Sequence, residues 1–149
     1  MPCYIDSSFI LSLLLEQNID ENEISIWHNN APLLSSFLLE IECLVTLRRV
    51  YKHNESILPK HWLKTKENQF KELIKEITIK NIDRSILDVI DLHRELSDCR
   101  TLDAIHVGTA ILFSEHSTEP IFMCSYDKRV RTISKQLGMP LLPETVQEI

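Results

Sequence analysis

Residues Pro2-Cys3-Tyr4-Ile5-Asp6-Ser7-Ser8-Phe9-Ile10 decide the fold class. Four residues from Pro2 to Ile5 form a short apolar run that stops at an acid and two serines. Beyond the serines, Phe9, Ile10, Leu13 and Leu14 recur at helical spacing. A buried strand that turns directly into a helix produces this pattern. The same alternation continues along the chain. Ala31–Leu34 reads as a second strand, Ile77–Ile79 with Ile82 as a third, Pro120–Ser125 as a fourth and Met139–Leu142 as a fifth. Helices are expected between them: Asp20 to Asn30 around Ile24 and Trp27, and a long one capped by Ser35 or Ser36 and carrying Leu38, Ile41, Leu44, Val45 and Leu47. Another is opened by Pro59, one is capped by Asp83 or Ser85, one by Thr101, and the last runs from Lys128 to Leu137 and stops at Gly138. Short strands alternating with helices make an α/β fold with a mostly parallel sheet of about five strands.

The chain has 149 residues, of which 44% are apolar and 26% charged, enough for one domain with a real core. The whole of 1–149 is therefore expected to be a single domain. No apolar run approaches the roughly 18–20 residues that span a bilayer, so no membrane partner is expected. The N-terminus carries no export signal pattern. Cys3, Cys43, Cys99 and Cys124 are far apart with no C-x-x-C pair, which points to free thiols and a cytoplasmic location. With only Gly108 and Gly138, neither a G-x-G-x-x-G turn nor a P-loop can be written.

Net charge is −6, which taken globally argues against nucleic-acid binding. The layout is uneven. Residues 1–47 hold seven acids and no Lys or Arg, residues 48–80 hold nine bases against four acids, and residues 81–149 hold seven bases against eleven acids. In parallel α/β sheets ligands gather beyond the carboxyl ends of the strands, and Asp6 and Asp127 each follow a strand. Glu42 lies between Ile41 and Leu44, and Asp103 between Leu102 and Ala104, both in helices among apolar neighbours. Carboxylates placed for burial are costly unless paired or bound to a metal, and hard divalent cations such as Mg²⁺ or Mn²⁺ prefer oxygen ligands. Such an ion activates water and offsets charge at a phosphodiester, the chemistry of a metal-dependent phosphodiesterase.

Four segments in order carry a resemblance: Tyr4-Ile5-Asp6, Ser36 with Glu42 and Leu47-Arg48-Arg49, Leu102-Asp103-Ala104-Ile105-His106, and Ser125-Tyr126-Asp127 with Arg129. At these positions the sequence resembles the PIN-domain nucleases, most closely the toxin members of the VapBC toxin–antitoxin systems. Gly108 stands where that family more often has alanine, and Ser125 where threonine is common. The resemblance implies a three-layer α/β/α sandwich and a Mg²⁺- or Mn²⁺-dependent endoribonuclease that acts on RNA. It also implies a cognate antitoxin and a homodimer, and it makes Asp6, Glu42, Asp103 and Asp127 both the catalytic and the metal-binding residues. Ser8, Asp98, Arg100, His106, Ser125 and Arg129 are candidates to assist. The basic stretch Arg48 to Lys80 is expected on a solvated helix face, against RNA, or, through Trp62, Leu63, Phe70 and Ile74, as a groove for the antitoxin. Two other functions use the same acids. One is a binding module whose carboxylates are structural, and the other is a metal-dependent DNA nuclease or phosphatase.

Overall fold

The computed structural model describes residues 1–16, 18 and 20–146. Its elements follow in chain order: β1 (Cys3–Ile5), α1 (Ser7–Leu15), α2 (Glu21–Asn29), β2 (Leu33–Ser36), α3 (Phe37–His53), α4 (Trp62–Ile74), β3 (Ile77–Lys80), α5 (Ser85–Leu92), a 3-10 turn (Arg94–Asp98), α6 (Thr101–Ser114), β4 (Phe122–Cys124), α7 (Lys128–Gln136) and β5 (Leu141–Leu142). The five strands form one sheet in the order β3-β2-β1-β4-β5, and every pairing is parallel. β1 is central, with Cys3 in register with Leu33 on one side and Phe122 on the other.

Strand alternation divides the core into two layers. Cys3, Ile5, Leu33 and Cys124 face one side, where Phe9, Ile10 and Leu14 of α1, Trp27 of α2, Leu39 and Leu47 of α3, and Phe70 of α4 cover them. Tyr4, Leu34 and Met123 face the other, against Val89 of α5, Val107, Ala110 and Ile111 of α6, and Val130 and Ile133 of α7. Helices thus bury both faces of the sheet, and the chain is a three-layer α/β/α sandwich as expected from its sequence.

Caps fix where the helices start. Asp6 accepts from the Phe9 amide at 3.3 Å, Asp20 from Asn22 at 2.9 Å, Ser36 from Leu38 at 3.1 Å, and Asp127 from Arg129 at 2.8 Å and Val130 at 3.2 Å. Two expected caps are displaced. Thr101 is the first residue inside α6, whose cap position is held by Arg100 with no side-chain bond. Arg84 holds the cap position of α5, while Asp83, one residue earlier, accepts the Ser85 amide at 2.9 Å. Pro59 stands three residues ahead of α4, where its carbonyl accepts the Trp62 amide. No helix among the described residues is long and apolar enough to cross a membrane, and all four cysteines are free thiols.

Candidate active site

A cavity of about 460 Å³ opens at the carboxyl ends of β1 and β4. Asp6, Glu42, Asp103 and Asp127 all line it, together with Ser8, Arg100 and His106. The fold gathers them from four elements. Asp6 ends β1 and caps α1, and Asp127 follows β4 and caps α7. Glu42 faces inward from α3, and Asp103 stands in the first turn of α6.

Asp6 is buried and is held by three donors. The Ser8 hydroxyl donates to Oδ1 at 2.6 Å, the Ser125 hydroxyl to Oδ2 at 2.5 Å, and the Phe9 amide to Oδ1. Burial pushes its carboxyl above the usual range. Nearby His106 and the hydrogen bonds from Ser125, Ser8 and Phe9 act in the opposite sense. The same two serines lock the β4 end in place. Ser8 Oγ accepts the Tyr126 amide at 2.9 Å, and Ser125 Oγ accepts the Asp127 amide at 3.0 Å.

Glu42 is tied to the core rather than to another acid. His106 Nε2–H donates to Glu42 Oε1, and His106 Nδ1 meets the Tyr4 hydroxyl at 2.7 Å. Tyr4 and His106 are both buried, with their rings edge to face and 5.8 Å apart. A chain of three side chains therefore runs from the sheet's middle strand to the cavity wall. Arg100 spans the other two acids, with Nε 3.3 Å from Asp103 Oδ2 and Nη2 3.8 Å from Asp127 Oδ2.

The four acids named from the sequence thus line one cavity, along with Ser8, Arg100 and His106. Ser125 reaches the site through Asp6. Asp98, in the 3-10 turn, and Arg129, exposed on α7, do not line it. Sequence reasoning had no role for Tyr4. A tyrosine in an apolar strand reads as core, and its partner lies 102 residues away. Among the described residues no set of three or more His, Cys, Asp or Glu side chains is gathered closely enough to hold an ion as it stands. The donor set nevertheless fits a hard divalent cation, since four carboxylates and no thiol line the cavity. In this arrangement protein donors, namely Arg100, His106 and the serines, satisfy the carboxylates.

The PIN domain family model matches residues 3–135. The chain belongs to the PIN domain family. PIN domains are a nuclease family. Two solved structures share the fold of this PIN domain. One is a toxin–antitoxin complex from Klebsiella pneumoniae, with TM-score 0.60, 15% identity, and 97% of this chain and 96% of that one covered. The other is FitAcB from Neisseria gonorrhoeae, with TM-score 0.67, 11% identity, and 89% and 93% covered. No curated protein sequence matches the chain.

Proposed function

We propose that this PIN domain is a Mg²⁺- or Mn²⁺-dependent endoribonuclease, the toxin of a toxin–antitoxin pair, working in the cytoplasm as a homodimer. One observation carries the catalytic part: Asp6, Glu42, Asp103 and Asp127 line one cavity beyond the carboxyl ends of parallel strands. These four would hold the ion. When bound, the ion lowers the pKa of water and offsets charge on the phosphate. The chain's own groups do the rest. Ser8 and Ser125 hold the Asp6 carboxylate in orientation, and His106, backed by Tyr4, does the same for Glu42. Among the described residues, Arg100 is the one cationic side chain of Lys or Arg type lining the cavity. Standing between Asp103 and Asp127, its guanidinium would hold a phosphate oxygen of the substrate. Water adds to phosphorus, the phosphorus–oxygen ester bond breaks, and the proton from water ends on the leaving oxygen.

The toxin assignment follows the resemblance in sequence and the toxin–antitoxin complex among the structural neighbours. An open groove of about 460 Å³ between α1, α2 and α4, lined by Leu13, Leu14, Ile24, Trp27 and Leu73, suits the apolar face of an antitoxin helix. This differs from the groove expected from the sequence. Phe70 is buried, and Trp62, Leu63 and Ile74 pack against the core. A homodimer is supported by Phe37, Ile41 and Val45, which stand four residues apart on α3, each more than two-fifths exposed. The free thiols agree with a reducing compartment.

The acids being already held by Arg100, His106 and serines favours a second reading, a PIN domain that binds without cutting. Cleavage of single-stranded RNA and of DNA by the wild type, Asp6→Asn and Asp103→Asn proteins with Mn²⁺ decides between them. RNA cleavage by the wild type and a fall of about a hundredfold or more in folded variants is expected. Equal cleavage by a folded protein carrying both Asp6→Asn and Asp103→Asn overturns the metal site. No cleavage by the wild type, with no Mn²⁺ heat in calorimetry, supports the binding module, and DNA cleavage alone supports a DNA nuclease.

A further inference from the structure

A second acidic cavity lies on the α1–α2 side of Tyr126, and it shares no lining residue with the first. Its volume is about 430 Å³. Ser12, Glu16, Asp20, Asn22 and Glu23 line it from α1, α2 and the link between them, facing Tyr126 and the 143–146 segment. Three of these residues are acids, and no Lys, Arg or His is among them.

Glu23 is the unusual member. It is 2% exposed, yet it is a carboxylate in an environment with too few donors. Its Oε1 accepts from the Tyr126 hydroxyl at 2.6 Å, and the Ser12 hydroxyl oxygen lies 2.6 Å away. That same Ser12 oxygen lies 2.6 Å from Glu16 Oε1. A serine hydroxyl has one proton, so it can donate to only one of the two carboxylates. Among the described residues Glu23 Oε2 has no hydrogen-bond partner. Burial, together with the Glu23 carboxylate that it faces, pushes the Tyr126 hydroxyl pKa up, so Tyr126 stays a neutral donor. Leaving a buried carboxylate oxygen without a partner is costly, and a charged donor relieves it best.

We propose that this cavity is a socket for a guanidinium group, the arginine side chain of a partner polypeptide. Water could supply a missing donor but not the missing positive charge. A guanidinium is weakly hydrated and planar, and it carries five donors, which suits a buried carboxylate flanked by two more. Pro143, Val146 and the Tyr126 ring give its aliphatic stem an apolar wall. Glu16 also lines the apolar groove between α1, α2 and α4, so one partner segment can fill the groove and place an arginine in the socket. The socket itself stands whether or not the first cavity cuts RNA.

Amide resonances of the full chain, followed by two-dimensional NMR during titration with N-acetyl-argininamide, test this. Saturable shifts at Ser12, Glu16, Asp20, Glu23 and Tyr126 are expected, with none from the neutral citrulline isostere. Free arginine should bind more weakly, because its own carboxylate meets Glu16 and Asp20. Glu23→Gln should weaken binding about tenfold, the value of one charged hydrogen bond. Asp20→Asn, at the exposed rim, should weaken it less and serves as the decisive variant if Glu23→Gln does not fold. Asp103→Asn should leave these shifts unchanged, so loss of RNA cleavage and loss of the socket are read separately. Shifts confined to the Asp6 and Asp103 cavity, or undiminished in both Glu23→Gln and Asp20→Asn, overturn the proposal. Free arginine binding as tightly as the capped form overturns the polypeptide source. Mn²⁺ broadening at the socket amides in place of argininamide shifts overturns the ligand class.

Discussion

Asp6 shows what an acid at a strand end costs. Burial raises its pKa above that of the unfolded chain, so folding favours the protonated form. Its contribution to stability is therefore most favourable below the ordinary carboxylate range and declines as pH rises through the folded value. In EDTA at pH 7, above the unfolded carboxyl's range, a group whose pKa is raised by folding is thus a net burden, and Asp6→Asn should raise unfolding stability by about 1 kcal/mol. The gain should close as pH falls toward about 4, the ordinary carboxyl value, where the unfolded chain takes up the proton as well. Urea titrations at the two pH values measure this, and a less stable Asp6→Asn protein at pH 7 would contradict it. At this scale the sequence was informative about the acids, because a charge flanked by Ile5 or by Leu102 and Ala104 declares itself. It was silent on what holds them. His106 was a candidate to assist the acids with no partner named, and its two ring nitrogens meet Tyr4 and Glu42, which lie 102 and 64 residues away. Only the assembled fold creates such pairs.

Among the elements, all five strands were legible, because each is a short apolar run next to turn residues and each lies in a sheet buried on both faces. Helix starts were less so. Asp83, Ser85 and Thr101 all have capping side chains, and which one serves depends on the approach of the preceding chain. The 3-10 turn at Arg94–Asp98 was not foreseen, since a single buried residue, Leu96, anchors it and leaves no period to read. The end of α7 was clear. Gly138 has φ +85°, its amide donates to the Lys135 carbonyl at 3.0 Å, and the Met139 amide donates to Ser134 at 2.9 Å. This is the Schellman arrangement, in which a left-handed residue closes the helix. Open space surrounds the position, so Gly138→Ala should cost about 1 kcal/mol through backbone strain alone. Thermal unfolding reads the loss, and an unchanged midpoint would contradict it. Gly108 is a different case. A Cβ there would stand 3.2 Å from Ile86 Cδ1, so this glycine lets α6 approach α5.

For the molecule as a whole, a net charge of −6 conceals separate acidic places. Two cavities concentrate carboxylates, while the bases of 48–80 are spread from the end of α3 through α4 to β3, with Arg48 of α3 paired to Glu67 of α4 at 3.1 Å. Of the three places open to that basic stretch, a solvated helix face, RNA or an antitoxin groove, the first cavity shows none of it: no residue of the stretch lines it, whereas Arg100 does. The exposed stripe on α3 bears on assembly. In the proposed homodimer Ile41 stands at the centre of the contact, so Ile41→Glu should weaken self-association about a hundredfold. Light scattering during size exclusion measures the mass, and an Ile41→Glu protein with the same mass as the wild type would remove α3 from the proposed interface. The strand order has a further consequence, one of timing. β1 is made first, and its far-side neighbour β4 is paired to it across more than a hundred residues. Asp127 joins Asp6 only after that pairing closes. A growing chain therefore carries Asp6 long before it has the Asp127 that completes the cavity, and the four-carboxylate pocket exists only once β4 has been made and paired.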